Sequence, residues 1–224
     1  VHGLNYKTPK WKGIAAKFIY YGEKITAKYA NAIIVLSQNQ QNYFKEKYNR
    51  ETIYIPNGVA VNDVKKANII KEKYGLENRK YLLFVSRVVP GKGLEYLIDA
   101  YKNVDTNFPL IIAGGTEYVS DYRKKIEDRA SSDSRIKFIG FVEGDELAEL
   151  YSNARLFIFP SEAEGMPMCL LEALSYNCSC LVSDIPENLE VGKEFVEKFK
   201  SKDPFDLQYK LKECLNKAVN VESR

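Results

Sequence analysis

The chain has 224 residues, 45% hydrophobic and 28% charged, which is the balance of an ordinary soluble globular protein with core enough to stand without disulfides or a structural metal. A net charge of +3 with no long block of like charge argues against nucleic acid as a partner. No run reaches the ~18 apolar residues of a membrane span and no signal peptide is read at the start, so a cytoplasmic protein is expected.

The first predicted element is a helix over Trp11–Tyr29, where Ile14, Phe18, Tyr21, Ile25 and Tyr29 recur at spacings of three and four. Its other face carries Lys12, Lys17, Lys24 and Lys28. Lysines opposite an apolar stripe are usually the solvated face of a packed helix. The alternative is peripheral docking on an anionic membrane, where lipid-linked acceptors reside. Ala32–Leu36 is apolar and β-branched throughout, as in a strand buried on both faces. Ser37 suits the N-cap of a short helix to about Tyr48. Thr52–Ile55 reads as another strand, stopped by the turn residues Pro56-Asn57-Gly58.

From there strands and helices alternate. Strand-like runs fall at Tyr81–Val85, Leu110–Ala113, Ile136–Ile139, Leu156–Phe159 and Cys180–Val182, and helical patterns at Gly93–Tyr101, Ser120–Ala130, Glu143–Asn153 and Pro167–Ser175. A last helix over Pro204–Val219 carries a stripe of Phe205, Leu207, Leu211, Leu215 and Val219. Such alternation predicts an α/β fold, a Rossmann-like parallel sheet with helices on both faces, spanning residues 57–224. The four cysteines, Cys169, Cys178, Cys180 and Cys214, lack zinc-ligand spacing and read as free thiols.

Ligands of such sheets sit beyond the carboxyl ends of the strands, so the loops after Val85, Ala113, Ile139, Phe159 and Val182 matter most. The first, Ser86 to Gly93, sets Arg87 and Lys92 on a glycine-containing turn before a helix, an anion site whose natural guest is a diphosphate. A solvated basic loop explains those two cations alone equally well. Gly114 and Gly115 let backbone approach a ligand closely, although a tight turn is the commoner cause of a lone Gly-Gly pair. At Gly140-Phe141-Val142, main-chain groups could meet a nucleobase edge while Phe141 packs on its face; core packing of Phe141 is the competing reading. The fourth loop, Pro160 to Pro167, puts Glu164 just before a helix and Glu172 about two turns along it. Carboxylates suit sugar and ribose hydroxyls, and the N–H groups of Gly165, Met166 and Met168, around Pro167, would complement a phosphate.

Taken together, these motifs resemble family 4 of the glycosyltransferases, retaining enzymes of the GT-B fold that use nucleotide-diphosphate sugars. The matching pieces are Ile55-Pro-Asn-Gly-Val59, Ser86-Arg87-x4-Lys92-Gly93, Ile112-Ala-Gly-Gly115, Phe138-Ile-Gly-Phe141, Glu164-x7-Glu172 and Ser183-Asp-Ile-Pro-Glu187. The resemblance implies that residues 57–224 bind the nucleotide sugar and that residues 1–56 close a preceding acceptor-side domain, whose Gly-rich loop is not in this sequence. It also implies that Arg87 and Lys92 hold the donor diphosphate, Glu164 the transferred sugar and Glu172 the ribose, with Phe141 and Val142 beside the base. The opening Val1-His2-Gly3 is similar to the strand end of rhamnosyltransferase-like members, which would aim His2 at the donor sugar.

The implied reaction is transfer of a hexosyl or rhamnosyl unit to an acceptor hydroxyl with retention, in cell-surface polysaccharide or glycolipid synthesis. The partners are then a nucleotide sugar and a glycan or lipid-linked acceptor. No cofactor is expected, the donor being a substrate, and no metal, because no Asp-x-Asp or His cluster replaces the cations. A nucleotide-sugar-binding module without turnover is the alternative. A nicotinamide-dependent oxidoreductase is excluded by the missing G-x-G-x-x-G after the first strand.

Overall fold

The computed structural model describes residues 13–115 and 120–217. Its first helix is α1 (Gly13–Tyr29), followed by β1 (Ile34–Val35), α2 (Gln38–Tyr48) and β2 (Ile53–Tyr54). β1 and β2 pair in parallel as a small sheet of their own. Ser37 caps α2 as its residue type predicts, its side chain accepting from the Gln40 amide at 3.2 Å.

The second unit runs α3 (Ile69–Tyr74), β3 (Leu82–Val85), α4 (Leu94–Lys102), β4 (Leu110–Ala113), α5 (Ser120–Ala130), β5 (Ile136–Gly140), α6 (Gly144–Asn153), β6 (Leu156–Phe159), α7 (Met168–Ser175), β7 (Cys180–Ser183), α8 (Pro186–Gly192), β8 (Val196–Phe199) and α9 (Pro204–Asn216). The six strands form one parallel sheet in the order β5-β4-β3-β6-β7-β8. Every residue of β3, β4, β6 and β7 is buried, which is why these strands read as unbroken apolar runs. Their side chains alternate between two cores. Leu82, Phe84 and Ile158 pack toward α4, α5 and α9, while Leu83, Val85, Phe157 and Phe159 pack toward α3, α6 and α7. Each such side chain contributes roughly 1.5–3 kcal/mol of burial. Glu149, itself buried on α6, closes the start of α3 by accepting from the Asn68 and Ile70 amides at 2.9 and 3.1 Å.

Several sequence-based expectations need correction. Among the described residues nothing packs on the apolar stripe of α1: Ile14, Phe18, Tyr21, Ile25 and Tyr29 are all at least 60% exposed. The helix instead meets α2 through its opposite side, where Ala27 is buried and Glu23 accepts from the Tyr43 and Tyr48 hydroxyls at 2.6 Å. Ile34 is likewise exposed, so β1 is covered on one face only among the described residues. Phe205 is exposed at the start of α9; only Leu207 and Leu211 of its stripe are fully buried, and Val219 lies outside the described residues. Among the described residues no helix is long and apolar enough to cross a membrane. All four cysteines are free, Cys178 and Cys180 buried and the other two partly so.

Candidate functional site

The strand order reverses direction between β3 and β6, because the chain runs outward to β4 and β5 on one side and to β7 and β8 on the other. The loops leaving β3 and β6 therefore part at their carboxyl ends and open a crevice. They are locked together at its floor. The Glu162 amide donates to the Gly91 carbonyl at 2.9 Å, and a Cβ on Gly93 would lie 2.0 Å from the Pro160 carbonyl oxygen. Gly91 and Gly93 both have positive φ, at 89° and 73°. Two such glycines around Lys92 fold the loop tightly enough to turn its side chain into the crevice.

Lys92 Nζ meets Glu164 Oε1 at 2.5 Å, with the two side chains only 17% and 11% exposed. Ser161 Oγ donates to the same carboxylate oxygen at 2.5 Å. Arg87, by contrast, is exposed and makes no ion pair with any described residue. Glu172 projects from the second turn of α7, where the buried Tyr151 hydroxyl donates to its Oε2 at 3.1 Å and Tyr176 stacks on the Tyr151 ring. Cys169, one turn before Glu172, ties these groups into one neighbourhood. Burial pushes its thiol up to about 11, the Glu172 and Glu164 charges push the same way and Lys92 opposes them.

The other predicted loops arrive at the same end of the sheet. The Gly114 amide donates to the Gly140 carbonyl at 2.7 Å, and the Val88 amide to the Gly115 carbonyl at 3.2 Å. A Cβ on Gly114 would sit 1.8 Å from the Ser86 carbonyl oxygen, so close packing by itself requires a glycine there. Gly115 has no such constraint, meeting only the Phe141 side chain at an ordinary 3.5 Å. Phe141 is 71% exposed, which removes core packing as its explanation. The Val142 side chain is buried in the core and leaves only its backbone for a ligand.

The segment before α7 also joins the two units. Met166 Sδ lies 3.1 Å from the Asn57 amide, and the Gly165 carbonyl accepts from Gln40 Nε2 at 3.4 Å. Pro167 stands at the N-cap, one residue ahead of Met168 and the helix proper. His2 lies outside the described residues, as do Trp11 and Lys12.

Sequence reasoning gave no role to α8, a short helix starting at a proline. Its Glu190 accepts from the Gln38 amide at the start of α2 at 2.7 Å, and its Glu187 accepts from Asn39 Nδ2 at 3.1 Å. Burial raises the Glu187 carboxyl above the usual carboxylate range, and the neighbouring Glu164 charge pushes the same way. Glu187 is thus a third carboxyl within electrostatic reach of Glu164. A separate cavity of about 610 Å³ opens at the far end of the sheet, by the first residues of β6, β7 and β8, and holds none of the candidate residues.

The family model for "Glycosyl transferases group 1" matches residues 66–223. Among curated relatives, the chain is 30% identical over 169 residues to the O-antigen chain mannosyltransferase RfbU of Salmonella typhimurium, covering 75% of this chain and 46% of that protein. It is 26% identical over 202 residues to an Escherichia coli UDP-Gal:alpha-D-GlcNAc-diphosphoundecaprenol alpha-1,3-galactosyltransferase, covering 84% and 51%. The chain therefore spans about half the length of these relatives. Among solved structures, Anabaena HepE in complex with UDP and glucose superposes with a TM-score of 0.82 at 19% identity, covering 96% of this chain and 61% of that one. Staphylococcus aureus TarM, in a complex with Fondaparinux, alpha-GlcNAc-glycerol and UDP, gives 0.74 at 19% identity, covering 97% and 43%. At these identities the structures speak for the fold.

Proposed function

The chain belongs to the group 1 glycosyl transferases, and from that premise we propose that its crevice binds a nucleotide-diphosphate sugar whose sugar passes to an acceptor hydroxyl with retention. The setting is synthesis of cell-surface polysaccharide or glycolipid, as the names of its relatives suggest for those proteins. The finer placement, family 4 and a hexosyl- or rhamnosyltransferase, is part of the same proposal.

The observation that carries it is the Lys92–Glu164 pair in the switch-point crevice. An arriving diphosphate competes with Glu164 for Lys92 and recruits the exposed Arg87. Lys92 then offsets charge on the departing diphosphate, an electrostatic contribution that needs no bound metal. Glu164, released from its cation, turns both carboxylate oxygens to the hydroxyls of the transferred sugar. Glu172, deeper on α7, accepts from the ribose, and the exposed Phe141 ring takes the base. The donor enters as substrate, without a cofactor. The bared apolar stripe of α1, flanked by Lys17, Lys24 and Lys28 with Glu23 turned inward, supports a peripheral contact with an anionic membrane surface.

Calorimetry with UDP, UDP-glucose, GDP and GDP-mannose tests the assignment. Glu172→Ala should weaken a nucleotide and its sugar conjugate alike, because both carry the ribose. Glu164→Ala should weaken only the conjugate, by about tenfold for one lost charge-assisted contact. Equal losses for both ligands in the Glu164 variant would put the sugar elsewhere. Tight binding of a conjugate with no transfer in the complete protein would favour a binding module.

A further inference from the structure

We propose that Ser161, Ser183 and Asn188 form a buried positioning relay that fixes the Glu164 carboxylate for the transferred sugar; this rests on the donor-site reading above. All three side chains are fully buried, at 0% exposure, although each is polar. Asn188 Nδ2 donates to Ser183 Oγ at 2.9 Å and to the Ser183 carbonyl at 3.2 Å. Ser183 Oγ donates to the Ser161 carbonyl at 2.5 Å. Ser161 Oγ in turn donates to Glu164 Oε1 at 2.5 Å, where Lys92 Nζ also arrives.

Proton bookkeeping gives this chain one direction. A hydroxyl has a single proton, and Ser183 spends its own on the Ser161 carbonyl, so its lone pairs must be met by a donor. Only the NH2 side of Asn188 can supply that donor. Turning the amide over would set its oxygen against both the Ser183 oxygens. The orientation leaves Asn188 Oδ1 buried with no hydrogen-bond partner among the described residues. An orphaned buried acceptor is costly, and one in a native fold calls for an explanation. The explanation offered by the geometry is that the amide faces Ser183 because Ser161 has to be held where its hydroxyl meets Glu164.

The relay also has an anchor. Asn188 sits on α8 between Glu187 and Glu190, which grip Asn39 and the Gln38 amide of α2. The carboxylate is therefore oriented from a helix that α2 holds through two carboxylates, and not from its own loop alone. A sugar-facing group needs such support, since a rotamer left to itself spends much of its time away from the ligand. When the diphosphate draws Lys92 away, Ser161 is the contact that remains on Glu164. These are positioning residues; none of the three touches the proposed donor.

The test uses Ser161→Ala, Ser161→Cys and Asn188→Ala in the intact chain. Crystal structures of Lys92→Met and of Lys92→Met/Ser161→Ala without nucleotide should show the Glu164 carboxylate kept in place in the first and displaced in the second. In calorimetry with UDP against UDP-glucose and GDP against GDP-mannose, Ser161→Ala should weaken the conjugate by about tenfold and the bare nucleotide by less than about twofold. Ser161→Cys, whose thiol is a weaker donor of similar shape, should fall between. A general loosening of the loop would weaken both ligands equally, and that outcome overturns the relay, as does a Glu164 that keeps its place in the Lys92→Met/Ser161→Ala crystal. If the unaltered chain binds none of the four nucleotides, the donor reading fails while the crystallographic comparison still decides the relay. Should Asn188→Ala not fold, the two Ser161 variants suffice.

Discussion

Replacing Lys92 by methionine keeps most of its aliphatic length and removes only the charge, which isolates what the Glu164 contact is worth. Both partners are largely buried, at 17% and 11% side-chain exposure, so the pair behaves as a buried ion pair. Deleting one member of such a pair strands the other and costs about 3–5 kcal/mol. Here Ser161 still donates to Glu164, which favours the lower end, about 3 kcal/mol. For a chain of this size 1 kcal/mol moves the melting temperature by about 2–4 °C, so Lys92→Met should melt about 6–12 °C lower. The double variant Lys92→Met/Glu164→Gln removes the stranded charge and should regain at least half of that loss. A cycle of the two single variants and the double, followed by urea or thermal unfolding at neutral pH, measures the coupling directly. If Lys92→Met costs under about 1 kcal/mol, the value of an exposed pair, the contact is not the buried lock described above. A double variant no more stable than the single would refute the reasoning just as well. Either variant should also lose nucleotide-sugar binding, so stability and affinity part company in the double.

Phe141→Ala should leave the melting temperature within about 2 °C, because the ring is 71% exposed, yet weaken UDP or GDP by roughly 1–3 kcal/mol of lost base stacking; unchanged affinity in calorimetry would remove the base from this loop. Glu187 has its folded-state pKa raised by burial and by Glu164, so its protonated form favours the fold, and that advantage is lost as pH rises through the raised value. Glu187→Gln should accordingly melt higher than the unaltered chain at about pH 7, with the gap closing toward about pH 4; a gap of constant size across that range would show that ionisation is not its source. The α1 stripe should bring the chain down with vesicles containing phosphatidylglycerol but not with neutral vesicles, and about 0.5 M salt should weaken the association. Phe18→Glu with Ile25→Glu should abolish it, and sedimentation indifferent to either change would assign the stripe to a protein contact.

How much of this was readable from the amino acids follows from how local each cause is. β3, β4, β6 and β7 are buried on both faces, so their burial is written into adjacent residues and the runs stand out. β8 lies at the sheet edge with Glu197 and Lys198 exposed along Val196–Phe199, and an edge strand of that composition carries no such signal. Periodicity identified α1 as a helix but says nothing of what covers the stripe, which is why its exposure was unforeseen. The same distinction holds at the site. Arg87, Lys92, Glu164 and Glu172 were singled out because each lies just beyond a strand end or on the helix that follows, a local property. That Lys92 and Glu164 would hold one another was not, since 72 residues separate them and only the adjacency of β3 and β6 brings them together. Gly114 shows the converse: a short pattern reads as a turn or a ligand loop, while in the fold the absent side chain makes room for the Ser86 carbonyl of the loop after β3. Ser161 and Asn188 were silent because serine and asparagine serve turns and caps everywhere. Their proposed role depends on three residues from a loop, the end of β7 and a helix meeting in the interior, a coincidence of topology that no spacing along the chain encodes. The charged groups proposed to meet a ligand can thus be picked out in the sequence, whereas the groups proposed to aim them have to be read from the fold.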